Sequence, residues 1–181
     1  MVEFKETYRV DSARLQEWDY STPWWYYVTI NTKDHIEYFG NAETGKIQRN
    51  ELGLVVEECW KEIPKHFLNV ELDYYVIMPN HVHGILILTD KRKDVACNVS
   101  TNKMSVISPK PNSLSAVVRS FKSAVTKTIR ENGYNNFAWQ PRFYDRIIRS
   151  EKELFNIRKY IDQNPLKWEF EKNKSENIFE L

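Results

Sequence analysis

Glycine, cysteine and long apolar runs are all scarce in this sequence. Only 5 of the 181 residues are glycine, so a glycine-rich loop that cradles phosphates is not expected. The two cysteines, Cys59 and Cys97, form no CxxC pair, which is typical of proteins from a reducing compartment. No apolar run is long enough to span a bilayer, and the charged start MVEFKETYRV does not resemble a signal peptide. We therefore predict a cytoplasmic protein with no membrane partner.

The length of the chain fits one domain with a substantial core. The opening residues, 1–20, look like an extended N-terminal arm. The stretch from Thr89 to Pro111 is polar and has no hydrophobic period, which predicts a mobile loop over about residues 89–112. We expect a single domain over residues 1–181, without internal repeats.

The net charge of +1 conceals an uneven distribution. Residues 103–160 contain twelve Lys and Arg but four Asp and Glu, a balance of +8 that leaves −7 for the rest of the chain. Such a segment is a candidate surface for a polyanion. A solvated basic helix face would give the same pattern.

Hydrophobic periodicity predicts alternating strands and helices. Strands are expected at WWYYVTI and HIEYFG, followed by a turn-rich NAETGK, and later at VELDYYVIM, HVHGILIL and RFYDRIIR. Three amphipathic helices are expected: one from Leu52 to Ile63 that Pro64 helps to end, one from Ser113 to Arg130 that Gly133 stops, and one that follows Ser150. Ser150 and Glu153 form a capping box, and Pro165 is expected to bound the third helix. This order predicts an α+β fold with helices on a largely antiparallel sheet.

Two histidines lie two residues apart in the strand MPNHVHGILIL. Side chains alternate along a strand, so His81 and His83 should share one face. A satisfied or solvent-facing pair is the ordinary interpretation of such a motif. The chemical interpretation is half of a metal site, because neutral imidazole is the commonest metal ligand.

The third helix carries a phenol and an amide one turn apart. Tyr160 and Asn164 fall together at the edge of the apolar stripe of Leu154, Ile157 and Ile161. Taken separately, each fits an ordinary role, Tyr160 as an amphipathic residue at a helix edge and Asn164 as a helix-end residue before proline.

Jointly, these motifs resemble a known family. The segments YYVIMPNHVHGILIL, SLSAVVRSFKSAVTKTI and WQPRFYDRIIRSEKELFNIRKYIDQNP are similar to the single-tyrosine transposases of the HUH endonuclease superfamily, nearest to the REP-associated tyrosine transposase branch. The similarity extends over nearly the whole chain, from WWYYVTI to NPLKWE. The combination of H-x-H after MPN with Y-I-x-x-N-P is its most specific part.

The resemblance implies a ferredoxin-like antiparallel sheet, the HUH endonuclease core, beneath a helix that bears the nucleophile. The matching positions are His81, His83 and Asn164 for a divalent metal, Mg²⁺ or Mn²⁺, and Tyr160 for the tyrosine nucleophile. The implied reaction is cleavage and rejoining of single-stranded DNA at hairpin or palindromic repeats through a 5′-phosphotyrosine. Tyr144 and Tyr134 lack this helical setting. The resemblance leaves open a homodimer in which the tyrosine helix acts in the site of the partner.

A mixture of cationic and aromatic side chains is suited to single-stranded DNA, because cations bind the phosphates and aromatic rings stack on the bases. The candidate DNA-binding residues are Arg119, Lys122, Lys127, Trp139, Arg142, Tyr144, Arg146 and Arg149. For Trp139 and Tyr144, core packing is an equal alternative.

Other functions fit less well. A histidine-triad hydrolase needs H-x-H-x-H, and Ile85 stands at the third position. Barrel amidohydrolases need a longer chain. Replication initiators and relaxases of the same superfamily usually carry a further domain. A catalytically silent, domesticated DNA-binding protein on the same fold is the principal alternative, although neither histidine nor the tyrosine is lost here.

Overall fold

Six strands and four α-helices, with a short 3-10 helix at Lys33–His35 between β1 and β2, form the described part of the chain, which comprises residue 15, residues 17–90 and residues 110–177 of a computed structural model. In chain order they are β1 Trp25–Asn31, β2 Gly40–Glu43, β3 Lys46–Arg49, α1 Glu51–Lys61, α2 Ile63–His66, β4 Val70–Ile77, β5 His81–Leu88, α3 Leu114–Glu131, β6 Tyr144–Ile147 and α4 Glu151–Asn177. The predicted N-terminal arm and mobile loop lie largely outside these residues. None of the described helices has the length and apolar character needed to cross a membrane.

The main sheet has the strand order β4-β5-β1-β6, and every pairing in it is antiparallel. The two central strands, β1 and β5, are rich in β-branched, aromatic and other apolar residues that fit a sheet buried on both faces. The predicted α+β architecture with helices on an antiparallel sheet is confirmed.

One face of this sheet packs against α1 and α3. Alternate residues of β1, Tyr26, Val28 and Ile30, join the apolar stripes of both helices in the larger core. Gly84 on β5 lets Trp60 of α1 lie directly on the sheet, since a Cβ at Gly84 would stand 2.3 Å from the indole ring. The helix α3 begins after Ser113, whose hydroxyl accepts a hydrogen bond from the Ala116 N–H.

The opposite face packs against α4 alone. Tyr27 and Ile85 of the sheet meet Ile148, Leu154 and Ile161 in a second, smaller core. The hydroxyl of Ser150 accepts a hydrogen bond from the Glu153 N–H, whereas the Glu153 carboxylate accepts one from the Arg149 N–H rather than from Ser150 itself. The helix therefore begins where the capping box predicts. The hydrogen bond of the Glu153 carboxylate reaches one residue further back than in a standard capping box, to Arg149.

The prediction that Pro165 ends this helix is wrong, because α4 continues to Asn177. A proline inside a helix removes one N–H donor, a loss that packing must offset. Here Pro165 is buried. Beyond it, the Glu169 carboxylate accepts hydrogen bonds from the Thr44 and Gly45 N–H groups in the β2–β3 turn, at 3.1 and 2.7 Å. Tertiary contacts on both sides of Pro165 thus hold the helix together.

Two further boundaries differ from the sequence prediction. The segment HIEYFG is not a strand, because Asp34 and His35 have positive φ angles and the strand β2 begins only at Gly40. The turn-rich NAETGK instead forms most of the β2–β3 hairpin. Pro64 opens the short helix α2 rather than simply ending α1, consistent with the preference of proline for a first helical turn.

Candidate functional site

His81 and His83 converge on one point between β5 and α4. Both side chains are buried, and their Nε2 atoms lie 3.0 Å apart with the rings nearly perpendicular. Alternation along β5 places both on the α4 face, as the sequence predicts. Buried imidazoles that direct the same nitrogen at one point are suited to share a cation or a proton.

Asn80 fixes the proton of His81. The Asn80 side-chain amide donates through Nδ2 to the His35 carbonyl, which leaves its Oδ1 facing the Nδ1 of His81 at 2.6 Å. Because a carbonyl oxygen only accepts hydrogen bonds, His81 must carry its hydrogen on Nδ1. The Nε2 lone pair of His81 is then directed toward His83.

Two hydroxyl groups of β1 surround the other ring nitrogen of His83. The Tyr27 hydroxyl lies 2.7 Å from His83 Nδ1, and the Thr29 hydroxyl lies 2.9 Å from the same atom. Thr29 also donates to the Tyr27 hydroxyl at 3.2 Å. The Tyr27 ring stacks on the imidazole, with the ring planes 24° apart. His83 is therefore held from the neighbouring strand in both position and orientation.

Burial keeps both imidazoles neutral. It lowers the pKa of His81 to about 4, assisted by the charge of His35, and it lowers the pKa of His83 to about 3, assisted by the charge of His81. Neutral imidazole is the form that binds a cation, so no bound proton competes near neutral pH.

The helix α4 places three side chains over the histidines at intervals of four residues. Tyr160 lies edge-on to His83 with ring centroids 5.4 Å apart, and Trp168 meets His81 at 5.5 Å. Asn164 stands midway between these two residues on the same helix face and is only 6% exposed. The structure thus brings together His81, His83 and Tyr160, and it places Asn164 one turn after Tyr160 on the same face of α4.

This arrangement fits a small divalent cation. Two ligands at neighbouring corners of an octahedron with bonds of about 2.1 Å are separated by about 3 Å, which matches the Nε2 separation. Hydrogen bonds to the remaining Nδ1 atoms are typical of histidines that bind metals. Among the described residues there is no cluster of three His, Cys, Asp or Glu side chains, whereas the buried amide of Asn164 offers an oxygen on the face of α4 that carries Tyr160.

Tyr160 also borders an open cleft of about 430 Å³. The cleft is lined by Tyr27, Thr29, His83, Tyr144, Arg146, Ile157 and Tyr160. Arg146 donates to the Glu153 carboxylate at 2.6 Å, which holds its guanidinium beside the cleft. Tyr160 is 41% exposed and Tyr144 is 48% exposed, so both rings can meet a ligand.

Three of the predicted DNA-binding residues, Arg119, Lys122 and Lys127, line a separate groove of about 690 Å³ between α3 and residues 138–143. Arg130 also lines it, and none of the described residues that line it is acidic. Trp139 also lines this groove, but the residue is only 8% exposed and its ring packs against Phe39, Phe121 and Phe137. Core packing, the alternative to DNA binding given for Trp139 above, therefore describes its position. This groove lies on the α3 side of the sheet, away from the histidines.

The remaining candidates lie near the β6 edge. Arg149 and Arg146 border a shallow depression beside this strand, whereas Arg142 is exposed in the segment that precedes it. The predicted cations therefore form two groups, one in the α3 groove and one at the edge of the sheet.

Sequence reasoning missed the supporting residues Asn80, Tyr27, Thr29 and Trp168, and it assigned Glu153 to the capping box without its bond to Arg146. Asn80 is adjacent to the first histidine, and Trp168 extends the four-residue spacing of Tyr160 and Asn164, so both left a signal. Tyr27 and Thr29 left none, because their roles depend on the register in which Thr29 pairs with His83.

Comparisons with known proteins give one close relative and a shared fold. No protein-family model matches the chain. An uncharacterized protein of Haemophilus influenzae is 36% identical over 161 residues, which cover 87% of this chain and 89% of that protein. The structure of the REP-associated tyrosine transposase bound to a REP hairpin superposes with a TM-score of 0.55 and 20% identity, covering 85% of this chain and 73% of the other.

A crystal structure of a candidate transposase from Deinococcus radiodurans is more distant. Its TM-score is 0.47 at 15% identity, with 83% of this chain and 96% of that chain covered. The chain therefore belongs to the family of the Haemophilus influenzae protein, and its fold is that of the REP-associated tyrosine transposase.

Proposed function

We propose that the chain is a transposase that cleaves and rejoins single-stranded DNA, at hairpin or palindromic repeat sequences, through a covalent bond to Tyr160. The observation that carries this proposal is the position of an exposed tyrosine ring 5.4 Å from His83, whose Nε2 lies 3.0 Å from that of His81. The fold shared with a tyrosine transposase supports the same class.

The chemistry follows from the groups in the cleft. The Tyr160 oxygen attacks the phosphorus and releases its proton, while the bond from phosphorus to the 3′ oxygen breaks and that oxygen leaves as a 3′ hydroxyl after taking up a proton. The product is a phosphodiester between Tyr160 and the 5′ end of the downstream strand. Attack by another 3′ hydroxyl reverses the step and joins the strands.

His81, His83 and Asn164 would hold a divalent cation, Mg²⁺ or Mn²⁺. When bound, such an ion supplies charge neutralisation and polarisation of the phosphoryl oxygen. Among the described residues lining the cleft, His83 alone has a side chain that can act as a base, and in this proposal its lone pair is directed to the ion. We infer that solvent takes the proton, since the ring is partly exposed.

The rest of the cleft suits a nucleotide next to the reacting phosphate. Arg146 provides a cation for phosphate, and Tyr144 presents an exposed ring on which a base can stack. The α3 groove with Arg119, Lys122 and Lys127 would hold a second part of the DNA, remote from the chemistry.

The experiment is a denaturing gel with a 3′-labelled hairpin oligonucleotide and Mn²⁺. We expect the wild-type protein to give a labelled protein band that EDTA abolishes. Tyr160→Phe removes one oxygen and little packing, so folding and DNA affinity should persist while the band disappears. Tyr134→Phe is the matched control, because Tyr134 is similarly exposed but lies after α3, away from the histidines.

Two outcomes would count against the proposal. An adduct that survives in Tyr160→Phe would transfer the role to another tyrosine, with Tyr144 as the next candidate. Tight hairpin binding by the wild type without any adduct, across hairpins of varied flanking sequence, would favour the silent DNA-binding alternative.

A further inference from the structure

The hydroxyl pair of Tyr27 and Thr29 has no role in the chemistry proposed above, yet it is built around one atom. Both hydroxyls lie within hydrogen-bonding distance of His83 Nδ1, at 2.7 and 2.9 Å, and within 3.2 Å of each other. Tyr27 is 8% exposed, and burial raises its pKa above the usual range of a phenol. The phenol therefore keeps its proton and acts as a neutral hydrogen-bonding group.

We propose that Tyr27 and Thr29 are positioning residues that determine which nitrogen of His83 is available to a cation. This inference rests on the proposed function, since it assumes a metal site at His81 and His83. It concerns two residues of β1 whose hydroxyls contact the Nδ1 of His83.

The two histidines are supported by chemically different groups. The partner of His81 is a carbonyl oxygen, which only accepts, so His81 keeps its hydrogen on Nδ1 and its lone pair on Nε2. The partners of His83 are hydroxyls, which can either accept or donate. Only His83 can therefore change its tautomer and still form hydrogen bonds to the groups that support its Nδ1.

The consequence follows from the 3.0 Å between the two Nε2 atoms. When a hydroxyl donates to His83 Nδ1, the hydrogen on His83 Nε2 can bond to the lone pair of His81. When a hydroxyl accepts from Nδ1–H, both Nε2 atoms present lone pairs to a cation. The change moves one hydrogen between ring nitrogens, with no net proton uptake or release, and the rings need not rotate.

The chain provides matched substitutions for a test. Tyr27→Phe and Thr29→Val remove the hydroxyls with little change of volume, and Thr29→Ser retains one. Tyr26→Phe is the control, because Tyr26 is a neighbouring buried tyrosine whose hydroxyl bonds to Trp18 and the Thr22 carbonyl on the opposite face of the sheet. His83→Ala reports whether the metal site itself exists. Thermal unfolding of each variant reports folding.

The measurements are the affinity for Mn²⁺ by calorimetry and the imidazole nitrogen chemical shifts of His83 by NMR, with Zn²⁺ replacing the paramagnetic ion for NMR. In the double variant Tyr27→Phe/Thr29→Val we expect the Mn²⁺ affinity to fall by at least about tenfold, the range found for residues that support metal ligands. Thr29→Ser and Tyr26→Phe should bind like the wild type. The nitrogen shifts of His83 should change in the double variant and not in Tyr26→Phe.

The failures of the two proposals are distinguishable. If His83→Ala abolishes binding but the double variant binds Mn²⁺ as tightly as the wild type, the role of the hydroxyls is overturned and the metal site stands. If the wild type binds no Mn²⁺, or His83→Ala binds it equally well, the metal site and the inference built on it are both overturned.

Discussion

At the scale of single residues, two asparagines frame the candidate site in different ways. Asn80 acts through its carbonyl, which fixes the proton of His81. Asn164 is buried on α4 between Tyr160 and Trp168, the two residues whose rings meet the histidines. An amide oxygen in that place can complete a set of ligands for a hard cation without adding charge.

Substitution of Asn164 should separate ligation from folding. Asn164→Ala removes one oxygen ligand, so we expect the Mn²⁺ affinity to fall by roughly tenfold or more, the scale set even by residues that only support ligands. Asn164→Asp keeps an oxygen and adds a negative charge, so its Mn²⁺ affinity should equal or exceed that of the wild type. Calorimetric titration measures both. Gln163→Ala, an exposed neighbour, is the control, and equal binding by Asn164→Ala would remove Asn164 from the ligand set.

The convergence of the histidines was predictable from one strand, whereas their support was not. Alternation in HVH places both rings on one face, whatever the rest of the chain does. The contact of Tyr27 and Thr29 with His83 depends on how β1 and β5 are aligned, and a shift of one residue would turn both hydroxyls to the other face. A single sequence contains no direct signal for that alignment.

At the scale of secondary structure, α4 is held at several points along its length. Near its start, Glu153 bonds to Arg146 and to the Arg149 N–H at the β6 edge. In its middle, Arg158 donates to Asp73 of β4 at 2.6 and 3.0 Å, and its guanidinium lies over the Tyr74 ring. Beyond Pro165, Glu169 binds the β2–β3 turn.

The Glu169 contact should decide how firmly the second half of α4 is docked. Glu169→Gln removes the charge that the Thr44 and Gly45 N–H groups bond to. We therefore expect faster amide hydrogen exchange over residues 166–172, because the free energy of local opening should fall by roughly 1 kcal/mol. Glu171→Gln is the control, because its carboxylate forms only an exposed pair with Lys167 at 3.7 Å. Exchange that is equally slow in both variants would show that other contacts, such as apolar packing and the Lys172–Glu37 pair at 3.1 Å, dock this half.

Local rules predicted most elements and failed where tertiary contacts outweigh them. The apolar stripe and Gly133 predicted α3 to within a residue, because an amphipathic helix is specified by its own sequence. Pro165 was expected to end α4, but the docking of Glu169 and the burial of Pro165 offset the missing hydrogen bond. The β2–β3 hairpin was missed because its strands are short and polar and its turn, with positive φ at Thr44 and Gly45, dominates the pattern.

At the scale of the whole molecule, the described cations of the basic segment, residues 103–160, lie in two regions of the surface. The cations of α3 line one groove, and those around β6 lie near the cleft that contains Tyr160. Single-stranded DNA that contacted both the α3 groove and the cleft would pass around the β6 edge of the sheet.

This distribution predicts a strong dependence of DNA affinity on salt. For a single strand, the slope of log affinity against log salt is about −0.7 per phosphate contact, so Arg119→Gln and Lys127→Gln should each make it less steep by about 0.7. Fluorescence anisotropy of a labelled hairpin over a range of salt concentrations measures the slope. Lys65→Gln serves as control, since Lys65 is exposed on α2 and outside the basic segment. Unchanged slopes in both groove variants would place the DNA elsewhere.

The continuous course of α4 through Pro165 has a mechanical consequence. Tyr160 and Asn164 belong to one rod, so the rise between them is set by the helix at about 6 Å. The histidines belong to the sheet, so the packing of α4 on the sheet sets the distances from His81 and His83 to Tyr160 and Asn164. The phosphate of a DNA strand joined to Tyr160 would accordingly move with α4, and the Glu169 contact lies beyond Asn164, in the half of the helix remote from the β6 edge.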